Sequence, residues 1–268
     1  MSSVSVLVLR AAGINCDHET VQAFTDAAAD RVDLLHINEF IRGRRRLSDY
    51  DILTVPGGFS YGDDISAGKV LANELRFKLL EDVNTFVADG KLVMGVCNGF
   101  QVLVKMGLLP DTRTGRREQE VTVFFNDSGK FECRWVYLKH NPQSPCVFTR
   151  DLPERIYLPV ANGEGKVIPQ TESIRERLHH DGQVPLQYAL PPEAPESGTV
   201  PYPWNPNGSV DHIAGLCDRT GRIFGMMPHP ERHTHPTHHP QWTRKRARTT
   251  PDGLLIFQNA VRYVRTGM

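Results

Sequence analysis

The first hundred residues alternate between short apolar runs and longer stretches with helical spacing. Apolar runs occupy residues 4–9, 32–37, 52–55 and 92–96, and the helical stretches are residues 19–29, 70–88 and 100–106. The runs lack strict polar alternation, which indicates strands that are buried on both faces. Such strands separated by helices predict an α/β fold, a doubly wound and mostly parallel sheet with helices on both faces.

From residue 120 onward the pattern becomes antiparallel. EVTVFF and KFECRWVYLK are joined by NDSGK, and HIAGL and RIFGMM are joined by DRTG, which predicts two hairpins added to the sheet. A helix over residues 253–265 closes the chain. Strand signals continue on both sides of the Pro-rich stretch 191–206, so we expect residues 1–268 to form a single domain with a polar and basic insertion near 233–251.

Composition narrows the classes of partner and compartment. Lys and Arg number 31 and Asp and Glu number 31, so the whole-chain charge favours neither nucleic acid nor an anionic membrane as a partner. The five cysteines are scattered without a CxxC pair, which argues against a disulfide framework and a structural zinc site. The apolar run at residues 4–9 is too short to span a bilayer and follows no basic segment. We therefore expect a cytoplasmic protein.

One cysteine stands where an α/β fold places its chemistry. In GVCNGFQ, residues 95–101, Cys97 follows an apolar strand and precedes a helix. Ligands bind beyond the carboxyl ends of such strands, and flanking glycines permit the sharp turn of a nucleophile elbow. The positive end of the following helix would stabilise a thiolate. The alternative is an inert buried thiol beside packing glycines, and this motif alone leaves both open.

Two further motifs follow other strands. In PGGFSYGDD, residues 56–64, the glycines allow backbone N–H groups to turn toward a ligand and, with the N–H of Asn98, to hold an oxyanion; a plain tight turn is the alternative. In MPHPERH, residues 227–233, the two prolines favour an extended backbone, so His229 and Glu231 should project the same way. A carboxylate behind an imidazole within reach of a thiol is a triad arrangement.

Other candidate sites are weaker. The four histidines at positions 233, 235, 238 and 239 lie in a Pro-broken loop without a carboxylate pattern, so we predict a solvated loop and no metal site. The basic runs at 42–46 and 244–248 are more typical of solvated surface than of a phosphate site. The sequence contains no GxxxxGK[ST] motif for ATP.

Taken in order along the chain, these strings carry a family resemblance. PGGFSYGD, GVCNGFQVL with GLLP, GEGK, NPNGS with IAGL, and GMMPHPERH span residues 5 to 232, and DGLLIF follows at 252–257. The set resembles the class I glutamine amidotransferases, which have a flavodoxin-like fold, and among them the glutaminase subunits of phosphoribosylformylglycinamidine synthase. The resemblance implies hydrolysis of L-glutamine, with Cys97 as nucleophile, His229 as base and Glu231 as its orienting carboxylate.

The same resemblance implies further roles and partners. Gly58 and Asn98 would supply the oxyanion-hole amides, and Gln101 would help to hold glutamine. Ammonia would pass to a large ATP-dependent synthase subunit, with a small accessory subunit, for conversion of formylglycinamide ribonucleotide to formylglycinamidine ribonucleotide in purine biosynthesis. ATP and Mg would belong to that partner, and no cofactor is expected in this chain.

The chain departs from the family pattern at three positions. Asn162 stands where the family has His, and Asp64 and Ser66 stand where Tyr and Arg are usual. We expect these positions to face the partner or the mouth of the glutamine site. Three alternatives stay open: a non-catalytic regulatory subunit of the same fold, a cysteine peptidase or chaperone of a related fold, and an amidotransferase for another acceptor.

Overall fold

The computed structural model describes residues 3–112, 118–195, 198–244 and 250–267. Within these ranges the chain forms eleven strands and seven α-helices. The strands are β1 Ser5–Arg10, β2 Arg31–His36, β3 Ile52–Val55, β4 Leu92–Val96, β5 Val121–Phe125, β6 Glu132–His140, β7 Arg155–Asn162, β8 Glu164–Pro169, β9 Leu186–Ala189, β10 Ile213–Cys217 and β11 Ile223–Met226. The helices are α1 Asp17–Asp26, α2 Ile37–Ile41, α3 Lys69–Lys78, α4 Leu80–Ala88, α5 Asn98–Lys105, α6 Glu172–His180 and α7 Asp252–Thr266.

Nine of these strands form one sheet in the order β2-β1-β3-β4-β11-β10-β9-β6-β7. The strands from β2 to β11 in this order are parallel to their neighbours, and those from β10 onward are antiparallel additions. Helices pack as two groups, α1 with α7 and α3 with α5. The expected α/β fold is confirmed. None of the helices in the described ranges is long and apolar enough to cross a membrane.

The two predicted hairpins have different outcomes. β10 and β11 pair antiparallel, with Gly215 opposite Met226, as predicted. The predicted pairing across NDSGK is wrong, because β5 pairs with β8 in a separate two-stranded sheet and β6 lies between β7 and β9. The connecting segment is tied to a distant loop instead, where the Asn126 side-chain amide donates to the Asn162 carbonyl at 2.8 Å. A turn signal indicates that the chain reverses, but it does not determine which strands then pair.

Two helical predictions also change in detail. The helix expected over residues 70–88 is interrupted at Leu79, whose φ of −135° separates α3 from α4. That leucine is buried, so the break carries an apolar side chain into the core. The chain enters α1 through Cys16 as N-cap, and Asp17 is the first helical residue, with its carboxylate 2.6 Å from Arg10. Of the basic run at 244–248, residues 245–248 lie outside the described residues.

The buried core brings three strand ends to one edge of the sheet. β4 is buried along its whole length and lies parallel to β3 and β11, with Val96 in register with Met226. The chain therefore leaves β3, β4 and β11 at the same edge, which is where ligands bind in such sheets. The turn at residues 56–64, Cys97 and His229 follow these three strands.

A glycine allows α5 to approach β3 closely at this edge. A Cβ atom on Gly99 would lie 1.8 Å from the carbonyl oxygen of Val55, which is far inside contact distance. The first turn of α5 can rest on the end of β3 only because residue 99 has no side chain.

We predict that Gly99→Ala destabilises the protein by about 3 kcal/mol, because the added methyl group forces the two backbones apart. Urea denaturation followed by circular dichroism measures the change. The control is Gly198→Ala, where an added Cβ has no atom within 4 Å and should change stability by less than about 0.5 kcal/mol. Equal stabilities for the two variants would contradict this view of the α5 contact.

Candidate active site

Cys97 lies on a strained turn between β4 and α5. Its backbone has φ 51° and ψ −107°, a conformation that residues with side chains rarely adopt and that costs about 1–3 kcal/mol. The residue is 6% exposed, and its Sγ lies 3.7 Å from the carbonyl oxygen of Ala161. The side chain lines a cavity of about 140 Å³. The chain therefore maintains a strained conformation at a residue whose thiol borders a cavity.

His229 and Glu231 form a buried pair immediately after β11. His229 Nδ1 is 2.6 Å from Glu231 Oε1, and both side chains are almost fully buried. The backbone N–H of His229 donates to the Pro159 carbonyl at 2.8 Å, which fixes this segment to β7. His229 Nε2 is buried and has no hydrogen-bond partner within the described ranges. The carboxylate thus holds one end of the imidazole ring and leaves the other end available.

The thiol and the imidazole meet over Gly57. A Cβ atom at this position would lie 3.0 Å from His229 Cε1 and 3.4 Å from Cys97 Cβ. Any larger residue would separate the two side chains or displace them. A thiol, an imidazole and a carboxylate arranged in this way are typical of triad enzymes that use a cysteine nucleophile.

The electrostatic surroundings favour a protonated imidazole. Burial by itself lowers the pKa of His229, but the Glu231 carboxylate and the neighbouring thiols outweigh burial and raise this pKa well above its usual value. A buried imidazolium beside Cys97 stabilises a thiolate and can also return a proton to a leaving group.

The turn after β3 brings further backbone groups to the cavity. Gly58 lines it with φ +145°, and a Cβ there would lie 2.8 Å from the Asn15 amide nitrogen. Asn98 begins α5, where backbone N–H groups have no partner within the helix. Its side-chain oxygen accepts the Ser60 N–H at 3.2 Å, and its amide donates to Asp63 at 2.8 Å. The Asn98 side chain therefore ties the turn to α5, and its backbone N–H is a separate group.

Gln101 is part of the cavity wall, and both polar ends of its side chain contact the protein. Its Nε2 donates to the Glu164 carbonyl at 2.7 Å, and its Oε1 accepts from Asn98 Nδ2 at 3.0 Å. Contact with a bound ligand would come from a side chain that is already oriented.

The three positions that depart from the family pattern have different surroundings. Asn162 is buried, lines the cavity and accepts a hydrogen bond from Asn207 Nδ2 at 2.7 Å. Asp64 is exposed and Ser66 half-buried, and neither is among the cavity residues.

Part of the histidine-rich segment packs against the sheet. His233 is buried, its Nδ1 lies 2.9 Å from the Tyr157 carbonyl, and its ring centre is 5.1 Å from that of Trp135. His239 lies 5.5 Å from the Tyr157 ring. The expectation of a wholly solvated loop is therefore wrong at His233, because aromatic side chains on β6 and β7 cover it.

Several groups at the site were absent from the sequence predictions. Cys16 and Arg232 contact each other beside His229, with Arg232 Nη2 3.1 Å from Cys16 Sγ. The strand-end rule, applied to β1, could have drawn attention to Cys16. Three phenylalanines line the cavity and remain 46–60% exposed: Phe59, Phe125 and Phe131. Their exposure has no simple sequence signal, because it depends on how β5 and β6 are placed.

Comparison with known proteins agrees with this arrangement. Residues 3–264 match the family described as the CobB/CobQ-like glutamine amidotransferase domain. The phosphoribosylformylglycinamidine synthase subunit PurQ of Dehalococcoides mccartyi is 46% identical over 265 residues, covering 99% of each chain. The subunit of the same name from Methanococcus maripaludis is 41% identical over 96% of each chain. A chain of the structure of PurLQS from Thermotoga maritima superposes with a TM-score of 0.72 at 29% identity, covering 98% of this chain and all of that one.

The chain therefore belongs to the glutamine amidotransferases of the CobB/CobQ-like family, and within that family to the PurQ subunits.

We predict that Glu231→Gln lowers the pKa of His229, because the amide carries no charge to stabilise the imidazolium. NMR titration of the imidazole Cε1–H resonance, assigned with a His229→Asn variant, measures this. A raised folded-state pKa contributes stability that is fully present below the unfolded value near 6.5 and is lost as pH rises through the folded value. The stability difference between wild type and Glu231→Gln should therefore shrink as pH increases above 6.5.

The matched control is Glu19→Gln, which removes a half-exposed carboxylate that pairs with Arg232. This change should leave the His229 titration almost unaltered. An unchanged His229 pKa in Glu231→Gln would show that the carboxylate does not determine the protonation of the imidazole.

Proposed function

We propose that this chain hydrolyses L-glutamine to glutamate and ammonia through Cys97, His229 and Glu231. The observation that carries the proposal is the convergence of a strained thiol and a buried imidazole–carboxylate pair over Gly57, beside the cavity. A non-catalytic subunit of this fold would have no need to maintain strain at Cys97 or to bury a charged pair behind it.

The reaction takes place in two halves. The Cys97 thiolate attacks the side-chain amide carbon of glutamine and forms a tetrahedral intermediate. The His229 imidazolium gives its Nε2 proton to the departing nitrogen, the C–N bond breaks, and ammonia leaves a glutamyl thioester on Cys97. His229 then removes a proton from water, which attacks the thioester carbonyl. The C–S bond breaks and glutamate is released.

Each supporting group has a definite task. Glu231 accepts the Nδ1 proton of His229, so that Nε2 is directed to Cys97 and the developing imidazolium is stabilised. The backbone N–H groups of Gly58 and Asn98 receive the negative oxygen of each tetrahedral intermediate. Loss of one such donor typically slows acyl transfer by about 100- to 1000-fold. Gln101, held by Asn98 and Glu164, contacts the bound glutamine.

The ammonia produced here serves an acceptor on another subunit. The relatives are named as subunits of phosphoribosylformylglycinamidine synthase, which supports a large ATP-dependent synthase subunit and a small accessory subunit as partners. The acceptor reaction converts formylglycinamide ribonucleotide to formylglycinamidine ribonucleotide. ATP and Mg act on the synthase subunit, and this chain needs no cofactor for glutamine hydrolysis.

The exposed rim of the cavity is suited to that partner. Phe59, Phe125 and Phe131 combine cavity lining with exposure, and Ile65 nearby along the chain is 87% exposed. Apolar groups of this size at a cavity mouth are typical of surfaces that another protein covers. Coverage would also keep ammonia out of bulk water.

The chain acts as one cytoplasmic domain. The family match over residues 3–264 supports a single unit, and the segment 233–251 is a local addition to it. We assign the exposed part of this segment, around Trp242, to partner contact, because Trp242 is 53% exposed while His233 anchors the beginning of the segment in the core.

We predict that Cys97→Ala reduces glutamate release by more than about 1000-fold, because no other group can form the thioester. Release is measured with the chain alone and with the synthase subunit, and wild type should be slow alone and strongly stimulated by the partner. Cys133→Ala removes an exposed thiol and should retain full activity. Unchanged glutamate release by Cys97→Ala would refute the proposed nucleophile.

A further inference from the structure

A second buried thiol lies beside the catalytic pair. Cys16 is 1% exposed at the N-terminal end of α1, and its Sγ, a His229 ring nitrogen and a Glu231 oxygen all lie within 4.8 Å of one another. A Cβ on Gly57 would lie 3.2 Å from Cys16 Sγ, so this sulfur meets the same point of backbone as the His229 ring and Cys97. The mechanism proposed above gives Cys16 no task.

We propose that Cys16 is a positioning residue that holds the His229 imidazole in line with the Cys97 thiol. The role rests on the proposed glutamine hydrolysis, in which the imidazole must face Cys97 in both halves of the reaction. Cys16 does not contact the reacting atoms.

The imidazole needs support at the end that faces Cys97. Glu231 holds Nδ1, but Nε2 has no hydrogen bond within the described residues, so packing determines where that end points. Gly57 supplies backbone at one contact, and Cys16 supplies a side chain at another. Misplacement of a catalytic group by about 1 Å can cost about 100-fold in rate.

Cys16 is itself held in position by hydrogen bonds. Its thiol donates to Asn15 Oδ1 at 3.3 Å, and its sulfur accepts from Arg232 Nη2 at 3.1 Å. The guanidinium of Arg232 also pairs with Glu19 on α1 at 3.1 Å. Arg232 follows Glu231 directly in the chain, so this contact joins the segment that carries the catalytic pair to the start of α1.

A role for Cys16 as an alternative nucleophile is less consistent with its surroundings. Its backbone, φ −97° and ψ 15°, is not strained, and it is not among the residues that line the cavity. Burial raises the pKa of its thiol, although the hydrogen bond from His229 opposes this, so the sulfur stays protonated at neutral pH. A neutral thiol away from the cavity can support the imidazole but cannot reach glutamine.

The test compares Cys16→Ala and Cys16→Ser with Cys146→Ala, which deletes an equally buried sulfur that takes no part in the site. The first readout is the pKa of His229 by NMR, which needs no turnover. Cys16→Ala should lower this pKa, because the sulfur hydrogen bond helps to raise it. Cys16→Ser keeps a group that accepts from Arg232 and should restore most of the wild-type value, and Cys146→Ala should leave it unchanged.

The second readout is glutamine hydrolysis in the complex with the synthase subunit. Cys16→Ala should lower kcat by about 10- to 100-fold with KM for glutamine almost unchanged, and Cys16→Ser should recover part of the loss. Circular dichroism and thermal melting establish that each variant is folded. If Cys16→Ala does not fold, Cys16→Ser and Arg232→Gln, which weakens the grip on the sulfur, carry the same comparison.

A folded Cys16→Ala protein with wild-type kcat and an unchanged His229 pKa would overturn the proposal. An equal loss of kcat in Cys146→Ala would also overturn it, since general loosening of the core would then explain the effect. If the wild-type complex did not hydrolyse glutamine, the proposed function would fail, and the His229 titration would still decide whether Cys16 supports the imidazole.

Discussion

The left-handed backbone at Cys97 is the constraint on which the site depends. β4 is buried and must stop at Val96, and α5 must begin at once while resting on the end of β3. Both conditions can be met only by a sharp turn at residue 97 and by a glycine at residue 99, whose Cβ would overlap the Val55 carbonyl. The core packing of three parallel strands and one helix thus stabilises a conformation that would be unfavourable in isolation.

The charges at the site depend on the same packing. His229 and Glu231 are almost completely buried, so water cannot screen the carboxylate, and the imidazole retains its proton despite the cost of desolvation. The ion pair would contribute little on the surface, where such pairs are worth about 0–1 kcal/mol. Burial gives the pair its influence, and the hydrogen bond from the His229 backbone to Pro159 holds it at the end of β11.

Local sequence was sufficient for the parts of the site that follow strands. Cys97, His229 and the turn at 56–64 each come directly after a predicted strand, and the prolines around His229 indicate the extended backbone that lets it reach Glu231. Cys16 also follows a strand region, yet its importance depends on a contact between its own N–H and the Gly57 carbonyl, 41 residues away in sequence (57 − 16). No short motif records such a contact.

The antiparallel region shows the limit of prediction from pattern. Alternation identified β5 and β6 as strands, but the pairing of β5 with β8 depends on a buried asparagine group, Asn126, Asn162 and Asn207, whose side chains join distant loops. The position of the exposed phenylalanines at the cavity mouth depends on that pairing. Long-range hydrogen bonding between polar residues was therefore the missing information.

The most direct test of the central claim is the identity of the covalent intermediate. Wild-type protein in complex with the synthase subunit is mixed with glutamine, quenched with acid within the first turnover, digested and analysed by mass spectrometry. The account predicts a hydroxylamine-sensitive glutamyl adduct on the peptide that carries Cys97. Glutamate formation with Cys97 unmodified throughout, or an adduct on the peptide that carries Cys16, would contradict it.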